Sequence, residues 1–202
     1  MKTHNFEQRT EEWYAIRKGK MTASNAQTIS ANGKGLETYI YNLMAEKYSA
    51  FRPEGYVSSD MQRGIDLEDQ ARMTYELFNE AVETVGFIEH SDTIGCSPDG
   101  LVGEEGGLEV KCPNDTNYFK ILVDGIKAVD AKYIWQVQMC LLITGRKWWD
   151  LCFYNVNFED NIIIFRITPD FAKQEKLRVG IAKGELLINE LTQKYEQRAR
   201  NL

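Results

Sequence analysis

The stretch from Ser97 to Pro113 constrains this chain more than any other. It opens with Ser97-Pro98-Asp99-Gly100, passes Gly103, Gly106 and Gly107, and closes with Leu108-Glu109-Val110-Lys111-Cys112-Pro113. Side chains alternate faces along a strand, so Glu109 and Lys111 point the same way and Val110 points the other. The glycines allow a tight reversal, which folds the strand carrying Glu109 back beside Asp99. Two carboxylates then converge, with an ammonium next to them. Pro113 stops the strand just past the charged pair, near the kind of strand end where open sheets build their sites. Oxygen donors of this type suit a hard divalent cation. A plainer reading also fits: an acid-x-lysine pair occurs as a solvated ion pair on surface strands, and Pro-Asp-Gly is a turn signal.

The chain has 202 residues, 43% apolar and 27% charged, enough for one domain with a sizeable core. No repeat, low-complexity run or Pro/Ser-rich linker divides it, so residues 1–202 are expected to form a single domain. No segment approaches the ~20 apolar residues of a membrane span, and the first residues lack the apolar run of a secretory signal. A cytoplasmic protein is expected. Cys96, Cys112, Cys140 and Cys152 contain no C-x-x-C pair and have only His4 and His90 for company. Neither a zinc site nor an iron–sulfur cluster is expected, and the thiols should be reduced and buried. The net charge of −6 does not suit binding to nucleic acid by bulk charge. Such a partner would need the basic residues gathered along one channel.

The first half reads as helical. Thr10 can cap a short helix carrying Trp13, Tyr14 and Ile16, and a second helix can start at 22–24. Apolar residues recur at helical spacing over 36–49, and a long helix is expected over 58–79 with Leu67, Ala71, Tyr75 and Phe78 on one face. The period then changes. Strands are expected at 82–89, 93–97 and 108–112, followed by helices at 116–124 and 132–144. Two aromatic, β-branched strands at 148–156 and 162–167 are joined by a turn at Asn161. Pro169-Asp170 opens a last helix running towards Arg200. The fold class is α/β (α+β), a central mixed β-sheet flanked by helices.

Ser97-Pro98-Asp99-Gly100 and Gly107-Leu108-Glu109-Val110-Lys111-Cys112-Pro113 resemble the core motif of lambda-type alkaline exonucleases. These are also described as YqaJ-like viral recombinases, within the PD-(D/E)XK nuclease superfamily. Three further blocks match in the family's order. Trp13, Arg17 and Thr22-Ala23-Ser24 resemble its N-terminal block. Arg63-Gly64-Ile65-Asp66-Leu67-Glu68 resembles its G-x-x-x-E helix, and Gln136-Val137-Gln138 its Q-V-Q helix.

The resemblance implies roles. Asp99 and Glu109, with the carbonyl of Val110 and a third carboxylate from Glu68, would hold magnesium, two ions by analogy, with manganese as a substitute. Glu68 alone is equally well read as an exposed charge. Lys111 would activate the attacking water. Arg17, Ser24 and Ser97 would bind a terminal 5′-phosphate, although Arg17 also reads as a surface charge and Thr22 or Ser24 as a helix cap. Gln136 and Gln138 point in different directions on a helix. The family favours Gln138 in the site, with Gln136 packing or supporting. Trp135, Trp148 and Trp149 read as core or subunit contact rather than a base-stacking platform.

The implied activity is a 5′→3′ exonuclease acting on one strand of duplex DNA with a free, 5′-phosphorylated end. It would yield mononucleotides and a 3′ overhang in phage or prophage recombination. The implied partners are a single-strand annealing protein and two further copies of the chain in a ring-shaped homotrimer. The rival readings are a site- or structure-specific endonuclease of the same superfamily and a non-enzymatic DNA-binding module.

Overall fold

A computed structural model describes residues 1–50 and 58–200. In chain order the elements begin with β1 (Lys2–His4), α1 (Glu11–Arg17), β2 (Met21–Thr22), α2 (Ala26–Ala31), α3 (Lys34–Tyr48) and α4 (Ser59–Glu76). There follow β3 (Val82–Glu83), β4 (Phe87–Ser91), β5 (Ile94–Cys96), β6 (Gly100–Val102), β7 (Gly106–Lys111), α5 (Asp115–Asp124) and α6 (Ala131–Thr144). The chain closes with β8 (Trp148–Tyr154), β9 (Ile162–Ile167) and α7 (Phe171–Arg200).

The α/β class holds, but the strands divide into two mixed sheets instead of one. Four strands run β1-β4-β5-β2 and five run β3-β6-β7-β8-β9. Within the larger sheet β7 and β8 are parallel and the other neighbours antiparallel. The expected strand over 82–89 is split, because β3 pairs with β6 while β4 pairs with β5 and β1. Short strands such as β1, β2 and β6 carry too few residues to show a period.

Local chemistry accounts for several boundaries. Thr10 Oγ1 accepts the Trp13 amide at the start of α1, and Asn114 and Asp130 do the same for Asn117 and Lys132 at the starts of α5 and α6. Asp170 Oδ1 accepts the Lys173 amide where α7 begins. Between β6 and β7, Gly103 adopts φ +51° and makes the reversal. Gly106 and Gly107 serve another purpose. They lie within β7, and a Cβ on them would stand 2.1 Å from the Trp148 ring and 2.4 Å from the Trp149 ring. The adjacent tryptophans of β8 cover the two faces of the sheet at this point, so both are packed. Trp149 is fully buried, and Trp148 lies 3.6 Å from the Arg166 guanidinium that stacks on it.

The alternation of β7 sorts the core. Leu108 and Val110 meet Ala71 and Tyr75 of α4, together with Cys152 and Tyr154 of β8. On the opposite face Leu151 and Phe153 join the larger core formed with α2, α3, α6 and α7. Glu109 and Lys111 belong to that second face. Tyr75 also anchors α4 through its hydroxyl, which donates to the buried Asp150 at 2.7 Å; Arg166 grips the same carboxylate with two bonds of 2.9 Å. Glu68 lies two helical turns before Tyr75, so this anchor sets where Glu68 emerges.

Candidate active site

Asp99 ends the loop that enters β6, and Glu109 and Lys111 sit at the far end of β7. The β6–β7 pairing, Gly100 opposite Leu108, brings Asp99 across from Glu109. Asp99 Oδ2 accepts the Val110 amide at 2.7 Å. Glu109 is 1% exposed, and its Oε1 accepts from Lys111 Nζ and from Gln136 Nε2, both at 2.5 Å. Its Oε2 is buried and has no partner among the described residues. The Lys111 ammonium also lies 5.1 Å from the centre of the Tyr133 ring. Two clefts meet at Asp99. One is lined by Gln8, Arg72 and Thr84, the other by Lys111, Asn117, Lys132 and Tyr133; Arg9, Ile65 and Glu68 belong to both.

Burial, and then the charge of Glu109, hold the Asp99 carboxyl well above its usual range. Burial alone would lower the Lys111 ammonium. The charges of Glu109 and Asp99 outweigh it and raise that group overall. Carboxylates crowded this way, one with an orphaned buried oxygen, form a donor set that an oxygen-seeking divalent cation fits. Glu68 stands at the same clefts but is held by Arg9 at 2.7 Å and by Arg72 at 3.7 Å. Consistent with that engagement, no three acidic, histidine or cysteine side chains are gathered tightly enough for a metal among the described residues.

A second polar site adjoins the first. On α1, Trp13 and Arg17 are one turn apart, and the guanidinium lies 4.1 Å from the centre of the indole ring. Arg17 Nη1 donates to Ser97 Oγ at 2.9 Å, and Trp13 Nε1 donates to the same oxygen at 2.8 Å. Arg17 is largely desolvated, which lowers its pKa against the charges around it. It makes no ion pair among the described residues. It lines a pocket of about 310 Å³ with Lys20, Thr22, Asn25, Tyr39, Asn42 and Glu46. Arg17 is half-buried and has no ion-pair partner among the described residues, so an anionic ligand in the pocket would gain a charge-assisted hydrogen bond from it.

Asp99, Glu109, Lys111, Val110 and Glu68 are therefore brought together, and Arg17 meets Ser97. Ser24 stands apart from that pair; its hydroxyl bonds to Thr22 Oγ1 at 3.1 Å. The expectation for the α6 glutamines is reversed. Gln136 reaches Glu109, whereas the buried Gln138 donates to the Thr168 carbonyl and accepts the Asp170 amide, both at 2.8 Å. The two differ by about 200° around the helix axis, and the packing of α6 on β8 turns Gln136 towards β7. Arg9, Gln8 and Tyr133 carry no signal in the pattern. Gln8 ties the N-terminal loop to the Pro98 carbonyl at 2.8 Å, next to Asp99. Trp13 was readable as the i, i+4 neighbour of Arg17.

No curated protein sequence matches the chain. Among solved structures, the alkaline exonuclease from Laribacter hongkongensis is 32% identical, with a TM-score of 0.79, covering 93% of this chain and 99% of that one. The same enzyme in complex with dAMP gives a TM-score of 0.80 at the same identity and coverage. A phage-related exonuclease from Haemophilus somnus 129PT shares the fold at 16% identity, with a TM-score of 0.67 over 87% of this chain and 96% of that one. The YqaJ-like viral recombinase domain matches residues 12–147, from Trp13 through Asp99, Glu109 and Lys111 to Gln138. The chain thus belongs to the YqaJ-like viral recombinase family.

Proposed function

We propose that the protein is a magnesium-dependent 5′→3′ exonuclease. It degrades one strand of linear duplex DNA from a 5′-phosphorylated end, releasing mononucleotides and leaving a 3′ overhang for recombination. One observation carries the reading. Ser97, bonded to Arg17, and Asp99, beside Glu109 and Lys111, are separated by a single residue. Their Cα atoms are at most ~7 Å apart. An anchor for a terminal phosphate and a site for the next phosphodiester, held that close, suit removal of one nucleotide at a time. The similarity to alkaline exonucleases at 32% identity supports the same chemistry.

Asp99, Glu109 and the Val110 carbonyl, with Glu68 alongside, would hold magnesium or manganese, two ions by resemblance. Bound there, the metal would polarise the scissile phosphate and acidify an attacking water. The residues of the chain do the rest. Lys111, steadied by Glu109 and the face of Tyr133, presents its ammonium to the phosphate oxygens and orients the water. Gln136 fixes the Glu109 carboxylate through Oε1, which leaves the second oxygen without a protein partner among the described residues and able to serve a cation. Arg17 and Ser97 grip the terminal 5′-phosphate by charge-assisted hydrogen bonds; Ser24, assigned to the same phosphate by resemblance, is bonded to Thr22 instead.

The partners proposed are duplex DNA, a single-strand annealing protein and two further copies of the chain. No helix is long and apolar enough to cross a membrane among the described residues.

The deciding experiment offers linear and circular duplexes with magnesium. Loss of linear DNA alone supports the exonuclease; cut circles would point to an endonuclease, and intact DNA to a binding module. Matched 5′-phosphate and 5′-hydroxyl ends, with Arg17→Ala alongside the wild type, test the anchor. The variant should lose the phosphate preference by roughly ten- to a hundredfold. Light scattering in solution tests the trimer.

A further inference from the structure

Trp13 occupies an unusual place in the anchor. An indole N–H and a guanidinium can only donate hydrogen bonds, while a serine hydroxyl has two lone pairs and one proton. Both lone pairs of Ser97 Oγ are taken, by Trp13 Nε1 at 2.8 Å and Arg17 Nη1 at 2.9 Å. The hydroxyl proton must therefore point away from both, and no described residue accepts it. The Trp13 N–H is itself held in direction, because it also reaches the Gly86 carbonyl at 3.1 Å. Its ring packs under the Arg17 guanidinium at 4.1 Å, leaving the edges of that group free to donate.

We propose that Trp13 is a positioning residue for end recognition, and that its N–H polarises Ser97 so that the hydroxyl acts only as a donor. Arg17 and Ser97 then offer hydrogens and no lone pair. Such a pair favours a phosphomonoester, whose oxygens supply several acceptors, over a terminal 5′-hydroxyl, which supplies one. The inference rests on the reading of Arg17 and Ser97 as the 5′-phosphate anchor and adds the residue that sets the direction of its hydrogen bonds.

The test measures equilibrium binding of blunt duplexes bearing 5′-phosphate or 5′-hydroxyl ends, in calcium, for a double-mutant cycle. The proteins are the wild type, Trp13→Phe, Ser97→Ala and the double variant. Replacing Trp13 with 3-benzothienylalanine, which keeps the bicyclic ring and removes only the N–H, serves as a second variant that preserves packing. Either change at position 13 should cut the phosphate-to-hydroxyl affinity ratio about three- to tenfold, the range of one hydrogen bond. In the Ser97→Ala background it should cut it no further, because the residue through which Trp13 acts is gone. A purely structural role would show the same loss with or without Ser97. That result, or an unchanged ratio in both position-13 variants, would overturn the inference while leaving the phosphate anchor standing. A wild type with no phosphate preference would overturn the anchor, and the inference with it.

Discussion

Gln136 and Gln138 offer the sharpest test of the site, because pattern and structure assign them opposite parts. Gln136 donates at 2.5 Å to Oε1 of Glu109, a carboxylate only 1% exposed. A hydrogen bond to a charged group is worth ~1.5–3 kcal/mol. If all of it is felt in the transition state, Gln136→Ala should slow cleavage roughly ten- to a hundredfold. Lys111 still holds Glu109 at 2.5 Å, so the fold should survive with little change in melting temperature. Gln138→Ala should do the reverse. It strips partners from the Thr168 carbonyl and the Asp170 amide where β9 hands over to α7. Two part-buried hydrogen bonds lost at roughly 0.5–1.5 kcal/mol each come to roughly 1–3 kcal/mol, or about 2–12 °C of melting temperature for a chain of this size. Cleavage measured well below the melting point should fall far less than in the Gln136 variant. Single-turnover rates on a 5′-phosphorylated duplex with magnesium, beside thermal melts, give both quantities. A Gln138 variant that melts normally but cannot cleave, with an active Gln136 variant, would refute the orientation of α6 and the role given to Gln136.

Other consequences are equally direct. Asp99→Ala, Glu109→Ala and Lys111→Ala should each remove most cleavage while leaving circular dichroism intact, since members of one cooperating set fail nearly as badly singly as together; wild-type turnover in any one would displace that residue from the site. Chelation should silence cleavage and magnesium or manganese restore it, with calcium supporting little turnover; activity that survives thorough chelation would end the metal reading. Burial, and then the charges of Asp99 and Glu68, push the Cys112 thiol up to about 12. Its thiolate fraction at pH 8 is thus far below that of a free cysteine, and all four cysteines are buried. Ellman's reagent should find four thiols only after unfolding, and rapid reaction of the native protein would contradict this. Gly180→Ala would place a Cβ 1.9 Å from the Ile29 carbonyl oxygen where α7 crosses α2; a loss of about 1–3 kcal/mol or more in urea unfolding is expected, and a stable variant would show that the crossing is looser than described.

What the residues determine by themselves is local in range. The two-residue period of a strand puts Glu109 and Lys111 on one face, and a glycine able to take positive φ returns the chain so that Asp99 stands opposite. Thr10 caps its helix because its side-chain oxygen lies within reach of an amide three residues on. These rules act within a dozen residues, and the core of the site follows from them. Tertiary structure decided the rest, because the remaining contacts join residues that no short-range rule relates. Glu68 meets Arg9 across 59 positions, and Trp13 meets Ser97 across 84. Gly106 and Gly107 suggested a turn, yet they make room for two indole rings from a strand some forty residues later. The choice between Gln136 and Gln138 depends on how α6 is rotated over the sheet. That rotation is set by the apolar side chains beneath the helix, and by neither glutamine.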